Sequence, residues 1–262
     1  MSDPVVILGL GFTTQRLARR LRQRDVRVYA MVRNPARFRV FAAEGVQLCA
    51  LAPQGMPPNA VLVHSVPPVP EPDNSAIRSL IHDIGPRRVL YISSTGVYGE
   101  QTQVSETTPP APADEKGRLR LDDEDWLTNG QPWSSLVLRS SAIYGPGRGI
   151  HVRVREGKLP RGAGGVVSRI HVDDLAALLD AGIQSPLEGN WPVADTLPAS
   201  SEEVASWCRE LMGIQVASDP GLSFPVTGRS VDGSRIRRLL GVQLKYPGYR
   251  EGIPACLKEE LV

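Results

Sequence analysis

The sequence predicts an α/β fold, a doubly wound parallel sheet with helices on both faces and a smaller C-terminal lobe interwoven with it. Three observations carry this reading. Short apolar runs alternate with helical patterns over the first two-thirds of the chain, as parallel strands joined by crossover helices require. Two glycines, Gly9 and Gly11, fall directly between the first apolar run and the first helical pattern. From about Glu188 onward the segments shorten, with Pro192, Pro198, Pro220, Pro225 and Pro247 between them.

Each element follows from a local pattern. Val5–Leu8 is an unbroken apolar run, the signature of a strand buried on both faces. Thr14–Arg24 places Leu17, Ala18 and Leu21 at helical spacing. Val26–Val32 is the second strand. Pro35–Ala43 reads as a short helix with proline in the tolerated first turn. Val46–Leu51, Val61–Val66 and Val89–Ile92 are three further strands, and Pro67, Pro68, Pro70 and Pro72 mark a loop after the second of these. Ala113–Leu127 is helical, Leu136–Leu138 a strand and Asp173–Gly182 a helix.

Composition narrows the function classes. The 262 residues are 41% hydrophobic and 22% charged, as in an ordinary globular chain. A net charge of +2 gives no reason to expect nucleic acid or an anionic membrane as partner. No apolar run reaches the roughly 18 residues of a membrane span, and the apolar N-terminus reads as a strand rather than a signal peptide. The three cysteines are scattered, which excludes a disulfide framework and a zinc site by spacing and fits a reducing cytoplasm. The histidines show no metal spacing.

In VVILGLGFTTQRLARRL the first glycine can make a tight turn and the second can let a backbone approach a pyrophosphate at a helix N-terminus. The third glycine of such a turn would stand at position 14, where this chain has Thr14. Its hydroxyl either faces phosphate or caps the helix. The alternative is a plain strand–helix turn. The second strand ends near Arg33, where an NAD site would carry an acidic residue for the ribose hydroxyls. A guanidinium suits a 2′-phosphate instead. These features define residues 1–187, to an approximate boundary, as a dinucleotide-binding (Rossmann) domain and 188–262 as the lobe.

Four segments then resemble the extended short-chain dehydrogenases, the NAD-dependent epimerase/dehydratase family: YISSTGVYGE (91–100), LRSSAIYGPGRG (138–149), RIHVDDLAALL (169–179) and RSVDGSRIRRLLGVQLKYPGYREGI (229–253). The likeness is nearest to a branch of uncharacterised bacterial sugar-nucleotide epimerase-like proteins. It implies that Ser94, with Thr95 beside it, meets the reacting oxygen. It implies that Phe12, Thr13, Ser65, Pro67, Tyr144 and Gly145 join the two glycines, Thr14 and Arg33 around the cofactor. It also implies that Arg148, Arg169 and His171 border the substrate. Asp173 is expected to cap the following helix.

The chain departs from the family at its proton-transfer pair. Family enzymes carry Tyr-x-x-x-Lys on one helix face, and none of the six tyrosines here has a lysine four residues later. Aligning PADEKGRLRLDDEDW with that helix puts Lys116 at the tyrosine position and Arg120 at the lysine position. Arg120 can hold ribose and cofactor charge. Lys116 can exchange a proton only where burial or positive neighbours favour its neutral form. A second departure is Leu51, which stands near the aspartate the family often has after the third strand and implies that adenine is met by apolar contacts or by backbone.

The expectation is an oxidoreductase or epimerase using NADP, or NAD in second place, on a sugar nucleotide or another hydroxyl- or carbonyl-bearing small molecule. The competing expectation is a non-catalytic NADP-binding redox sensor or scaffold. A homodimer is left open.

Overall fold

Val5–Leu8 forms the first strand, β1, and is buried along its whole length. Val5 and Ile7 enter one core while Val6 and Leu8 enter another on the opposite face of the sheet. This two-sided burial is why the run is apolar without alternation. The computed structural model describes residues 3–158, 165–215 and 228–261. Prolines 220 and 225, used above to mark the lobe, lie outside the described residues.

After β1 come α1 (Phe12–Arg22), β2 (Val28–Met31), α2 (Arg39–Ala43), β3 (Gln47–Cys49), β4 (Val61–His64), α3 (Asp73–Ile84) and β5 (Arg88–Ser94). They are followed by β6 (Gln103–Val104), α4 (Glu115–Thr128), β7 (Ser134–Ser140), β8 (Ala142–Tyr144), α5 (Ile150–Arg155), β9 (Val166–Val167), β10 (Arg169–His171) and α6 (Val172–Gln184). The chain continues through β11 (Gly189–Val193), β12 (Ala199–Ser200), α7 (Ser201–Met212), β13 (Ser230–Val231), α8 (Ser234–Leu240) and α9 (Tyr249–Glu260). The sequence pattern assigns no helix at α3. Its signals are present: Asp73 in the first turn, Ile77, Ile81 and Ile84 at helical spacing, and Gly85 closing it in the left-handed conformation.

Seven strands make one parallel sheet in the order β11-β7-β5-β4-β1-β2-β3. Strand order reverses between β1 and β4, so a crevice opens there at the carboxyl ends of the strands, where open α/β sheets bind ligands. The approximate boundary at residue 187 needs correcting. β11 pairs with β7 through five residues and completes the sheet, so the lobe begins after it. The lobe is stitched back by the short pairs β8–β10, β9–β12 and β6–β13. Its own core gathers Tyr144, Val204, Cys208, Tyr249, Ile253 and Cys256. Among the described residues no helix is long and apolar enough to cross a membrane.

Among the described residues, one ion pair of the sheet domain has both side chains nearly unexposed. Glu124 on α4 is 0% exposed and accepts from Arg139 on β7, with Oε2 2.7 Å from Nη2. Ser93 at the end of β5 donates to Glu124 Oε1, and Arg139 donates to the Tyr98 hydroxyl at 3.2 Å. Removing one partner strands the other charge away from water. Glu124→Ala is expected to cost about 3–5 kcal/mol in urea unfolding, whereas Glu124→Leu combined with Arg139→Met recovers most of that loss. Equal stability of the single and double variants would contradict the pairing argument.

Candidate cofactor and active site

The turn after β1 is tied by hydroxyls. Gly9 has φ +91°, a conformation that favours glycine, and its carbonyl accepts from Ser65 Oγ at 2.6 Å and Thr14 Oγ1 at 2.7 Å. Thr14 Oγ1 also accepts the Gly11 N–H at 2.8 Å. Of the two roles open to Thr14, capping is the one its hydroxyl performs. The helix then opens with the N–H groups of Phe12 and Thr13 free of backbone acceptors among the described residues. A Cβ added to Gly11 would meet nothing within 4 Å, so the space in front of the helix is open. Free N–H groups, the positive end of a helix dipole and that space fit a diphosphate. Ser65, from the end of β4, pins the crevice where strand order reverses, whereas Pro67 is exposed in the loop beyond.

Arg33 is exposed just past β2, with no ion pair among the described residues. Leu51, just past β3, is 45% exposed. Both stand at the carboxyl edge on the β2–β3 side of the glycine turn.

On the other side of the crevice, β5 ends at Ser94. Its Oγ accepts the Gly96 N–H at 3.1 Å and caps the single helical turn Thr95–Tyr98. Arg229 holds that turn from the lobe, donating to the carbonyls of Thr95 at 2.6 Å, Gln101 at 2.9 Å and Gly99. The N-terminus of α4 comes against the same turn because residue 117 is glycine. A Cβ there would lie 2.9 Å from the Gly96 carbonyl oxygen. Asp114 caps α4 by accepting the Gly117 N–H at 2.7 Å. Lys116 and Arg120 are therefore brought beside the Ser94–Thr95 turn but differ in setting. Lys116 is exposed and free of ion pairs among the described residues, while Arg120 is half-buried with Nη1 3.4 Å from the Ile92 carbonyl oxygen.

Gly145 sits where α6 and α1 meet. A Cβ there would approach Val172 Cγ1 to 2.5 Å and Phe12 Cζ to 2.9 Å. Arg148 is exposed, its guanidinium carbon 5.3 Å from the Phe12 ring centroid. The loop after β8 thus closes over the first residue of α1.

Three expected site residues are occupied elsewhere. Tyr144 is buried and donates its hydroxyl to the Gly248 carbonyl at 3.0 Å, anchoring α9. The Arg169 guanidinium is buried and spent on the carbonyls of Val167 and Ala199 and on Ser201 Oγ. His171 is 1% exposed; Nδ1 accepts the Asp173 N–H at 3.2 Å and Nε2 lies 3.4 Å from Cys256 Sγ. The polar atoms of Tyr144, Arg169 and His171 thus hold the lobe together. His171, not Asp173, caps α6, and Asp173 faces Arg16 at 3.7 Å.

The comparisons with known proteins agree with this architecture. No family model matches the chain. A conserved protein of unknown function from Silicibacter pomeroyi is 30% identical, with a TM-score of 0.82 over 98% of this chain and 99% of that one. A proposed NAD-dependent epimerase/dehydratase from Methylobacillus flagellatus is 26% identical, with a TM-score of 0.77 over 99% of both chains. MoeE5, in complex with UDP-glucuronic acid and NAD, has a TM-score of 0.79 over 98% and 99% at 22% identity, a likeness of fold. Among curated proteins, Protein YeeZ of Escherichia coli K12 is 34% identical over 165 residues, 61% of this chain and 59% of its own length. The structural neighbours of the chain are thus NAD-dependent epimerase/dehydratase-like proteins, whose fold it shares.

Buried titratable groups couple stability to pH. Burial lowers His64 and His171 to about 4, so on acidification below their ordinary 6.5 the unfolded chain takes up two protons that the folded chain refuses. Asp195 acts oppositely: burial raises it from 3.8 to about 7, so the folded chain binds one proton there first. The net preference is for the unfolded state, and stability should fall between pH 6.5 and 4.5 by about 1.4 kcal/mol per pH unit for each uncompensated proton. Urea titrations across that range check it, and Asp195→Asn should steepen the fall. A stability that rises on acidification would contradict the assignment.

Proposed function

We propose that this protein binds NADP in preference to NAD and uses it for oxidoreduction or epimerisation of a hydroxyl- or carbonyl-bearing small molecule such as a sugar nucleotide. The observation that carries the reading is the open cradle at Gly11, set at the reversal of strand order with Phe12 and Thr13 N–H groups facing forward. The NAD bound by MoeE5 supports the cofactor class, and its UDP-glucuronic acid the substrate class. Arg33 is the group that would meet a 2′-phosphate, and Leu51 offers an apolar face for adenine.

When bound, the dinucleotide supplies a hydride donor or acceptor. The chain's own residues do the rest. Ser94, with Thr95 beside it, holds the reacting oxygen. Lys116 exchanges that oxygen's proton, and Arg120 contributes fixed positive charge from the next turn of α4. Arg148, exposed at the rim and without an ion pair among the described residues, would meet a substrate phosphate. One observation favours the second reading, a redox sensor or scaffold without turnover: Lys116 is exposed rather than enclosed beside Ser94.

Fluorescence titration tests the cofactor. NADPH should bind more tightly than NADH, with Arg33→Ala weakening NADPH about tenfold and leaving NADH little changed. Gly11→Val should remove binding of both while the protein still melts cooperatively, since its side chain fills the cradle. Equal affinities, or normal binding by Gly11→Val, would reject the site.

Turnover is a separate question. A screen of sugar nucleotides and simple carbonyls with NADPH should give activity that falls at least about a hundredfold in Lys116→Met. Undiminished activity eliminates Lys116 as the proton carrier, and tight binding without turnover on any substrate favours the sensor.

A further inference from the structure

The turn that follows Ser94 is gripped from the lobe by one side chain. Each of the three guanidinium nitrogens of Arg229 donates to a backbone carbonyl: Nη1 to Thr95 at 2.6 Å, Nε to Gln101 at 2.9 Å and Nη2 to Gly99. All three acceptors lie within residues 95–101, the segment that leaves the carboxyl end of β5. Arg229 is itself anchored, because its own carbonyl accepts the Ser168 N–H at 3.0 Å beside β10. Lobe and segment are also joined by backbone alone. The Ser230 N–H donates to the Thr102 carbonyl and the Asp232 N–H to the Val104 carbonyl, each at 2.8 Å.

Docking of the lobe therefore does not need the guanidinium. A half-buried cation met by carbonyls alone gives up water without gaining an opposite charge. What it gains is control of one peptide group. The Thr95 carbonyl and the Gly96 N–H are the two ends of a single planar unit. Arg229 holds the first end, and the second donates to Ser94 Oγ at 3.1 Å. Ser94 Oγ thus has one lone pair filled, and it donates its own proton to no acceptor among the described residues. A charge-assisted bond to a carbonyl polarises the peptide and strengthens the N–H donor at its other end. The hydroxyl that accepts from that donor becomes a better donor in turn. From the fixed cation to the Ser94 proton the path is two hydrogen bonds and one peptide long.

We propose that Arg229 is a positioning residue that acts on Ser94 through the Thr95–Gly96 peptide, holding the hydroxyl where it donates to the reacting oxygen. The inference rests on the reading of Ser94 given above. Its first readout is independent of turnover. In the full chain, isotope-labelled for NMR, the order parameter of the Gly96 N–H should fall from about 0.85 to below about 0.6 in Arg229→Ala. Those of Ser230 and Asp232 should stay at about 0.85, since the backbone bonds that dock the lobe remain. Arg229→Lys should loosen Gly96 as well, because one ammonium cannot span three carbonyls, and it carries the same readout if the alanine variant does not melt cooperatively. On any substrate found with NADPH, Arg229→Ala should lower kcat at least about tenfold and leave KM and NADPH affinity within about twofold. In a Ser94→Ala background the same change should add no further loss. A rigid Gly96 in both variants, equal loosening of Gly96, Ser230 and Asp232, or a loss that adds to that of Ser94→Ala would each overturn the positioning role. Undiminished turnover in Ser94→Ala overturns the reading of Ser94 itself. Wild-type protein without turnover on any substrate overturns the enzymatic reading, and the Gly96 order parameter then decides alone whether Arg229 holds the hydroxyl.

Discussion

The buried pair of Glu124 and Arg139 is the constraint from which the site takes its shape. Two nearly unexposed charges cost several kcal/mol each to desolvate, and their attraction offsets this only where geometry and further hydrogen bonds are good. Here the carboxylate accepts from Arg139 at 2.7 and 2.9 Å and from Ser93, with Asn190 at 3.4 Å, while the guanidinium also reaches Tyr98. These partners come from α4, β7, β5, the turn after β5, and β11. An apolar core would hold the same elements against one another with freedom to slide. The ion pair fixes the rotation of α4 about its own axis, and with it the direction of every residue on the same face.

The opposite wall of the crevice is fixed by smaller means. In place of a third glycine, Thr14 gives α1 a side chain at its closest approach to the sheet. The threonine fits because its hydroxyl is used twice, toward Gly9 and Gly11, and it is 0% exposed. Ser65 makes the matching tie from β4. The backbone of the turn is thereby set before any ligand arrives, which lowers the ordering cost of binding. The loop after β8 then packs Gly145 and Arg148 onto Phe12, and Arg16 and Glu259 join α1 to α9 at 2.5 Å. Glycine turn and lobe therefore act as one wall.

What the sequence discloses follows from the range of the interaction concerned. Strand and helix order was legible because it rests on local periodicity, and the glycine turn because two glycines between a strand and a helix leave few alternatives. Helix α3 was passed over because four prolines just before it suggest a long loop, although Pro72 simply precedes the helix and Asp73 opens it. The short loop before β11 hid the last strand of the sheet behind a change of texture. The partners of Tyr144, Arg169 and His171 were hidden for a different reason. Motif position says where a residue lies along the chain, but their hydrogen bonds go to Gly248, Ala199 and Cys256, which no local pattern reveals. The Glu124–Arg139 pair, joined across 15 positions, carries no local signature either.

The helix face set by Glu124 accounts for the contrast between Lys116 and Arg120. Residues 116, 120 and 124 follow at intervals of four and lie along one side of α4. Glu124 is unexposed, Arg120 half-buried and Lys116 exposed, so the line runs from the core to solvent toward the helix N-terminus. That end of α4 lies at the carboxyl edge of the sheet, against the turn that follows Ser94. Ligands of open α/β sheets occupy this edge, so exposure at position 116 places the residue on the ligand side rather than away from it. The two cations therefore have different tasks open to them. Arg120, half-buried with Nη1 near the Ile92 carbonyl, is a fixed charge that cannot give up its proton. Lys116, on a flexible stem at the rim, becomes a proton carrier only if a bound ligand excludes water from around it. Catalysis on this helix would thus depend on the substrate closing the site, whereas a tyrosine held by a neighbouring lysine is ready beforehand.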